Sequence, residues 1–371
     1  MLLSHQRHAR AMPKCIHVFA NIFLVSFCLY LLLLAQKGLF RELGLKLNVG
    51  FHVESNTATS ILSPATTKCG TELIQYQPSI LEKSWKIQIA SVKSNDAGWE
   101  GGCSKIRQEL EAHKKVVHDI ERHALAERPA SSSNLSYHIY EDKCTGLTWK
   151  VLIEPLTSFL RHPLAICSPG AAPELILDKS YMLIPFAHEV GANQSYKWLF
   201  DAGASTYDTG AGGASQSWFV NTYRSRGYEF DRIIGWEAAL TEPERQWSSV
   251  PADIKRKTSW YNIPATTEVG AADNPLTFIK ELTKPEDYVV FKLDIDAPAI
   301  EVALVQQIMS DPELWALIDD FFFEHHVAGS PMQSNGWGDL SKAKTPMGDI
   351  EDSYDIFTFF REKGIRAHSW V

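Results

Sequence analysis

Acidic and imidazole side chains follow four apolar segments in the second half of this sequence. In chain order they are Asp201, Glu237, the pair Asp294 and Asp296, and Glu324 with His325 and His326. Such groups can accept hydrogen bonds from hydroxyls, hold a metal ion or move protons. Ligands of open α/β sheets bind at the carboxyl ends of the strands. If the four segments are parallel strands, we expect these side chains to meet in one crevice.

The stretch around Asp201 is typical of a nucleotide-binding turn. Trp198–Phe200 predicts the end of a short buried strand, and Gly203 opens a turn rich in small residues before an amphipathic helix. A second predicted strand, Arg232–Trp236, then ends on Glu237. This order of strand, acid, glycine turn, helix, strand and acid matches the first half of a Rossmann-like site, although no GxGxxG occurs. The glycines let a ligand approach the backbone, and the second acid can accept hydrogen bonds from ribose.

The later side chains each allow a structural and a functional interpretation. Asp296 can cap a helix that begins at Pro298, because Asp is a preferred cap and Pro a preferred first residue, and this does not exclude a role in the site. His325 and His326 are adjacent, so on a strand they point to opposite faces and at most one faces the crevice. One histidine with Glu324 and Asp296 fits a metal ligand set or a general base. Spacing along the chain does not favour the ligand set, so no metal site is predicted.

Two further residues have simpler interpretations. Lys292 lies inside the third apolar segment and is expected to pair with one of the acids, whereas His368 is expected to be structural. No GxSxG elbow occurs, and no serine, cysteine or lysine nucleophile stands out. The residues therefore favour group transfer within a bound nucleotide-like complex, where positioning supplies much of the catalysis.

Alternating strand and helix patterns predict an α/β fold for this half of the chain. After Glu237, strands are predicted at Trp260–Pro264, Tyr288–Asp294, Ile318–Glu324 and Ile365–Val371, with helices at Leu276–Leu282, Ile300–Met309 and Asp352–Glu362. Tyr288–Asp294 is apolar at nearly every position, as in a central strand covered on both faces. Earlier in the chain, Trp85–Ser91 alternates like a strand and Ser104–Glu127 has helical spacing.

The beginning of the chain predicts a membrane anchor. The 371 residues carry a formal net charge of -8, which disfavours a nucleic-acid partner. Residues 16–35 form an apolar run that, as a helix rising about 1.5 Å per residue, spans roughly 30 Å of bilayer core. Basic residues in the preceding cytoplasmic tail, residues 1–15, favour a single-pass type II orientation; a cleaved signal peptide is the alternative. Residues 36–67 are rich in Ser and Thr and predict a stem.

Everything after the predicted anchor would then face the lumen of the Golgi or another secretory-pathway compartment. Four cysteines, Cys69, Cys103, Cys144 and Cys167, follow it, and no CxxC pair indicates a zinc cluster. In an oxidising compartment we expect at least one disulfide among them, and three full pairings are open. The sequons at Asn134 and Asn193 are consistent with that compartment.

Several motifs resemble signature blocks of the FkbM-type S-adenosylmethionine-dependent methyltransferases. The blocks are Phe200–Ala204, Ile234–Glu237, Val289–Asp296 and Phe322–His326, and the tail at Asp352–Phe357 and Gly364–Trp370 is similar to the end of plant and algal members. The resemblance covers roughly residues 195–371. It implies a Rossmann-like class I methyltransferase sheet in residues 190–371, preceded by an α+β flank in residues 68–189.

The resemblance also implies site residues and a cofactor. Asp201 and Gly203 would line the methionine and adenosine parts of S-adenosylmethionine, and Glu237 would bind its ribose. Asp294 is assigned to the cofactor at the border of the acceptor side, where the candidate catalytic residues are Asp296, Glu324 and His326. The compartment favours a glycan hydroxyl or carboxylate as the acceptor.

Two other functions fit the same residues. Asp294-Ile-Asp296 is a DxD, which in nucleotide-sugar enzymes holds a divalent ion against the diphosphate, so a metal-dependent glycosyltransferase is one alternative. A non-catalytic binding module that keeps the methyltransferase-like fold is the other.

Overall fold

A small antiparallel sheet comes first in the structure. The computed structural model describes residues 71–80, 82–84, 86, 135–156, 179, 181–191, 195–208, 215–327 and 348–370. The small sheet consists of β1 (Thr71–Gln77), β2 (Ser136–Asp142) and β3 (Thr148–Ile153), in that order. Cys144, in the turn between β2 and β3, is disulfide-bonded. Cys69, Cys103 and Cys167 lie outside the described residues.

The larger sheet has six strands, and its five strand pairings are parallel. Its strands are β4 (Lys197–Ala202), β5 (Arg232–Trp236), β6 (Thr258–Tyr261), β7 (Tyr288–Leu293), β8 (Asp320–Phe323) and β9 (Arg366–Ser369). Their order is β6-β5-β4-β7-β8-β9, which is the doubly wound Rossmann order. The predicted α/β sheet is confirmed, and its order reverses between β4 and β7.

Helices connect these strands. They are α1 (Ser215–Ser225), α2 (Pro243–Ser248), α3 (Ala252–Lys255), α4 (Pro275–Leu282), α5 (Pro298–Ser310), α6 (Pro312–Leu317) and α7 (Ile350–Glu362), besides a 3-10 turn at Ala187–Glu189. Proline begins four of them, as its fixed φ and missing N–H favour. Asn274 caps α4 by accepting from the Leu276 N–H, and Asp349 caps α7.

Apolar residues cover both faces of the six-stranded sheet. Phe200 and Phe291 belong to a core cluster on one face, and Leu199 and Val290 belong to a second cluster on the other. Neighbouring residues of a strand point to opposite faces, and β4, β5, β7 and β8 each supply residues to both clusters. β7 is buried at all of its positions, which confirms the prediction of a doubly covered central strand.

Several sequence predictions differ from the structure or lie outside the part it describes. The strand predicted at Ile318–Glu324 is confined to β8, because α6 occupies the chain up to Leu317. Lys86, in the strand predicted at Trp85–Ser91, is helical. The helix predicted at Ser104–Glu127, both sequon asparagines and the predicted membrane span lie outside the described residues. Among the residues that are described, no helix is both long and apolar enough to cross a membrane.

Buried charges join the small sheet to the large one. The Arg361 guanidinium on α7 donates to the Glu154 main-chain oxygen at 2.8 Å and to its carboxylate at 3.1 Å. His368 on β9 lies between two carboxylates, with Nδ1 2.8 Å from Glu154 and Nε2 3.6 Å from Asp320. Arg366 pairs with Asp320 at 3.2 Å and donates to the Leu152 carbonyl of β3. We call Glu154, Asp320, Arg361, Arg366 and His368 the charge seam; it confirms that His368 is structural.

Candidate functional site

Lys292 occupies the centre of the site, at the point where the strand order reverses. Its ammonium Nζ lies 3.1 Å from Asp201 Oδ1 and 3.3 Å from Asp294 Oδ2, and it donates to the Gly203 carbonyl at 2.7 Å. Burial disfavours the ammonium, but the two carboxylates together raise the pKa of Lys292 above its ordinary value. The sequence-based prediction that Lys292 pairs with one of the acids is therefore confirmed, and it pairs with two.

Asp201 is a buried partner of Lys292. Its side chain is fully buried at the end of β4, and burial raises the pKa of its carboxyl although Lys292 and Gln216 act to lower it. In this structure the Asp201 carboxyl contacts the Lys292 ammonium. Its direct contact with a cofactor stays a prediction.

Gly203 allows β4 and β7 to approach closely where both strands end. It has φ 82°, and a Cβ atom at this position would lie 1.5 Å from the Asp294 carbonyl oxygen. Any side chain would therefore collide with the backbone that carries Asp294. The glycine that the sequence assigned to ligand approach is thus required first of all by the packing of two strand ends.

Glu237 joins the loop after β5 to the glycine turn after β4. Its Oε2 accepts from the Ser205 backbone N–H at 2.9 Å, and its Oε1 accepts from the Ala239 N–H at 2.7 Å. Ser205 has φ 45°, in the left-handed region that a non-glycine residue occupies only at some cost. Glu237 is half-buried at the carboxyl edge of the sheet, where the sequence predicted it.

Asp294 connects Lys292 to Trp370, which follows the last strand, and to Glu324. Trp370 Nε1 donates to its Oδ2 at 3.0 Å. Burial opposes ionisation of Asp294, but Lys292 and hydrogen bonds with Glu324 and Trp370 hold its pKa below the usual range. The contact with Lys292 therefore favours the ionised form of Asp294.

Asp296, Glu324 and His326 form a second group beside Asp294, which we call the acceptor-side triad. His326 Nε2 lies 3.5 Å from Glu324 Oε2 and 3.8 Å from Asp296 Oδ1. One possible ligand atom from each of the three residues lies within 4.8 Å of the others. Glu324 and His326 are buried, whereas the Asp296 side chain is 84% exposed. The triad has a buried wall and one side open to solvent.

Glu301 orients the His326 ring of the triad. Its Oε1 accepts from the Ile295 N–H at 2.8 Å, and its Oε2 lies 3.2 Å from His326 Nδ1. Burial raises the pKa of Glu301, and the imidazole of His326 acts against that shift. The contact on Nδ1 fixes the ring so that Nε2 faces Glu324 and Asp296.

The sequence left open whether Asp296 caps helix α5 and which of the two histidines faces the site. Helix α5 does begin at Pro298, but its N-cap is Ala297 and no side chain caps it, so Asp296 is not the cap. Asp296 has φ 53°, which turns its carboxylate back toward His326. Of the two histidines, only His326 lies beside Glu324 and Asp296. His325 points elsewhere, with its Nδ1 2.6 Å from the Ser353 hydroxyl.

Glu301 and Trp370 were not among the residues expected in the site. Glu301 is an isolated acid on the buried side of an otherwise apolar helix face, and that pattern was an available signal. Trp370 is 76 residues from its partner Asp294, so no local pattern indicates the contact. The site thus joins all four segment ends that the sequence proposed, with two additions from helix α5 and the end of the chain.

Comparison of the chain with protein-family models, curated proteins and solved structures finds no match.

Proposed function

We propose that the chain is an S-adenosylmethionine-dependent methyltransferase whose cofactor lies at the carboxyl edge of the six-stranded sheet. One observation carries the proposal: a hydrogen bond joins Glu237 to the glycine turn beside the point where the strand order reverses. This is where doubly wound sheets bind nucleotide-like ligands. The resemblance of the same segments to FkbM-type methyltransferases, described above, supports the finer assignment to that class.

Glu237 is proposed to bind the cofactor ribose. Each carboxylate oxygen has two lone pairs, and each accepts one backbone N–H in the structure. One acceptor position therefore remains on each oxygen for a ribose hydroxyl. Asp294, ionised beside Lys292, would attract the positively charged end of the cofactor, while Asp201 and Gly203 hold the two strand ends in place.

The acceptor-side triad is proposed to bind the acceptor and take its proton. In the transfer, the bond between the sulfonium sulfur and the methyl carbon breaks as a bond from that carbon to an acceptor oxygen forms. The sulfur keeps the electron pair of the broken bond, and a hydroxyl acceptor releases its proton to a group of the triad. Asp296 is the exposed member and so the first to meet an incoming acceptor.

The compartment is part of the proposal. The apolar run at residues 16–35, the disulfide at Cys144 and the two sequons support a single-pass membrane protein of the Golgi or another secretory membrane, acting on a glycan or similar acceptor. Carbonate extraction, glycosidase digestion and non-reducing peptide mapping test this. A soluble, unglycosylated chain with every cysteine open to alkylation would refute it.

The glycosyltransferase alternative depends on Asp294 and Asp296 acting together on one metal ion. In the structure the Asp294 carboxylate contacts Lys292, Trp370 and Glu324, whereas Asp296 turns toward His326. Asp294 already has the Lys292 ammonium as its cation, which favours methyl transfer over a metal ion shared by the two acids. The non-catalytic alternative has no observation of its own in its favour.

Calorimetry of the purified chain separates these functions. We expect S-adenosylmethionine to bind at one site per chain, and nucleotide sugars with Mn²⁺ to give no heat beyond that of Mn²⁺ alone. If nucleotide sugars bind and S-adenosylmethionine does not, the chain is a glycosyltransferase and the proposal is wrong. If neither ligand binds, the non-catalytic binding module is the remaining function.

A further inference from the structure

The acceptor-side triad has the composition of a metal ligand set. It offers two carboxylates and one imidazole, and the three ligand atoms lie within 4.8 Å of one another. Atoms bound to a common ion at about 2.0–2.2 Å each must lie within roughly 4.4 Å of one another. The two distances from His326 Nε2, 3.5 and 3.8 Å, meet that limit as they stand. A small turn of the exposed Asp296 side chain completes the set.

Glu301 supplies the second observation. Metal-bound histidines almost always give their other ring nitrogen to a carboxylate or carbonyl, which fixes the tautomer and aims the ligating nitrogen. The buried Glu301 carboxylate contacts His326 Nδ1 at 3.2 Å, and its other oxygen is held by the Ile295 N–H. This contact turns His326 Nε2 toward Glu324 and Asp296, at 3.5 and 3.8 Å, where it can serve as the ligating atom.

Electrostatics favours a cation at the same place. The Asp294 carboxylate contacts both Lys292 and Glu324, whereas Asp296 and Glu324 both lie beside His326. Carboxylates taken out of water are normally paired with a cation or bound to a metal. Glu324 is 5% exposed, so a divalent ion beside His326 would stabilise the ionised form of its carboxylate.

We propose that Asp296, Glu324 and His326 bind one divalent transition-metal ion, of which Mn²⁺ and Zn²⁺ are the best suited. A ligand set that includes imidazole favours these ions over Mg²⁺ and Ca²⁺, which prefer oxygen ligands throughout. The proposal departs from the sequence-based expectation of no metal site. It differs from the DxD arrangement, because Asp294 is not a ligand.

The ion also narrows the class of acceptor, and this step rests on the proposed function. The three ligands leave coordination positions open on the side of the exposed Asp296, and an acceptor with two neighbouring oxygen atoms, such as a vicinal diol or a hydroxy acid, can occupy them. A metal lowers the pKa of a hydroxyl bound to it. When the triad side chains bind the ion, the acceptor proton leaves to solvent and not to a triad side chain.

Titration of the purified full chain with Mn²⁺, followed by electron paramagnetic resonance, tests the site. We expect one ion per chain in the wild type and at least tenfold weaker binding in Asp296→Asn and in Glu324→Gln. The matched control is His325→Gln, which changes the neighbouring buried histidine and is expected to bind Mn²⁺ like the wild type. Competition by Zn²⁺ at low concentration and by Mg²⁺ only at high concentration is expected.

A second measurement does not depend on the folding of variants. Electron spin echo modulation of the Mn²⁺-loaded wild type should show coupling to an imidazole nitrogen. Lack of stoichiometric binding, lack of nitrogen coupling, or Mn²⁺ affinity that is the same in both triad variants and the wild type would each overturn the site. Mn²⁺ binding by the triad without S-adenosylmethionine binding would support the site and remove only the proposed methyl transfer.

Discussion

Trp370, the residue after the last strand, donates its indole N–H to the carboxylate of Asp294 at 3.0 Å. The contact joins β9 to the end of β7, across β8. Trp370 also receives Lys179 Nζ over its ring at 4.7 Å. The end of the chain is therefore part of the wall that keeps Asp294 ionised beside Lys292.

Replacement of Lys292 by methionine should destabilise the fold strongly. Asp201 and Asp294 would lose their shared cation while still buried, and breaking a buried ion pair in this way costs about 3–5 kcal/mol. Urea unfolding measures the change in free energy of unfolding. The control is Lys280→Met, which removes solvent-accessible pairs with Asp311 at 2.9 Å and Glu313 at 2.6 Å and should change stability less, because water screens such pairs. Equal effects of the two substitutions would show that Lys292 is not needed to hold the site.

Gly203→Ala should cost far more than the same change at another glycine of positive φ. At Gly203 the new Cβ meets the Asp294 carbonyl oxygen at 1.5 Å, whereas at Gly270, with φ 81°, it meets nothing within 4 Å. Both variants bear the left-handed backbone penalty of roughly 1–2 kcal/mol. Only Gly203→Ala must also push two strand ends apart. The difference in melting temperature between the variants isolates the close approach, and similar melting temperatures would contradict it.

Glu237→Ala should weaken S-adenosylmethionine binding. Losing a hydrogen bond to a charged acceptor costs about 1.5–3 kcal/mol, or roughly ten- to a hundred-fold in affinity. Calorimetry measures the dissociation constant, with Glu242→Ala as a control because that acid is exposed at the start of α2. Asp296→Asn should leave cofactor affinity nearly unchanged and lower turnover. The reverse order, with Asp296→Asn abolishing ligand binding and Glu237→Ala having no effect, would count against the assignment.

His368 should make the stability of the protein fall as pH rises above about 6.5, its ordinary unfolded pKa. Burial disfavours the imidazolium, but Glu154 and Asp320 raise the pKa of His368 in the folded state. Its contribution is therefore complete below the unfolded pKa and is lost as pH rises through the folded pKa. His368→Gln should remove up to about 1.4 kcal/mol per pH unit from that slope.

Urea unfolding between pH 6 and 9 measures the two slopes. The difference between wild type and variant isolates His368 from the carboxyl groups that also titrate on folding. Parallel curves for the two proteins would mean that His368 is uncharged in the seam.

The fold was more predictable than the contacts within it. Apolar runs at β4, β5 and β7 are local signals, because a doubly covered parallel strand needs them at nearly every position. β1 has no such signal, since most of its residues are exposed. The short helices α2 and α3 were likewise not predicted, because one or two turns carry too little periodicity.

For the site, the sequence indicated which side chains gather and not what each one does. Asp201 and Asp294 look alike in the sequence, yet one is fully buried with a raised pKa and the other is held ionised. That difference depends on the depth of each carboxyl and on partners such as Trp370, which the chain brings together only when it folds. Glu301 stood out as an isolated acid on an apolar helix face, but its partner His326 is 25 residues away, so the sequence did not indicate the contact.

The charge seam determines whether the larger sheet can fold without the small one. A chain cut at residue 190 would keep Arg361 and Arg366 on α7 and β9 but lose Glu154, together with the β3 carbonyl that accepts from Arg366. Arg361 and Arg366 would lose these partners, and removing one member of a buried charge pair is strongly destabilising. We therefore expect recombination or gene fusion that separates residues 190–371 from the small sheet to destabilise the larger sheet.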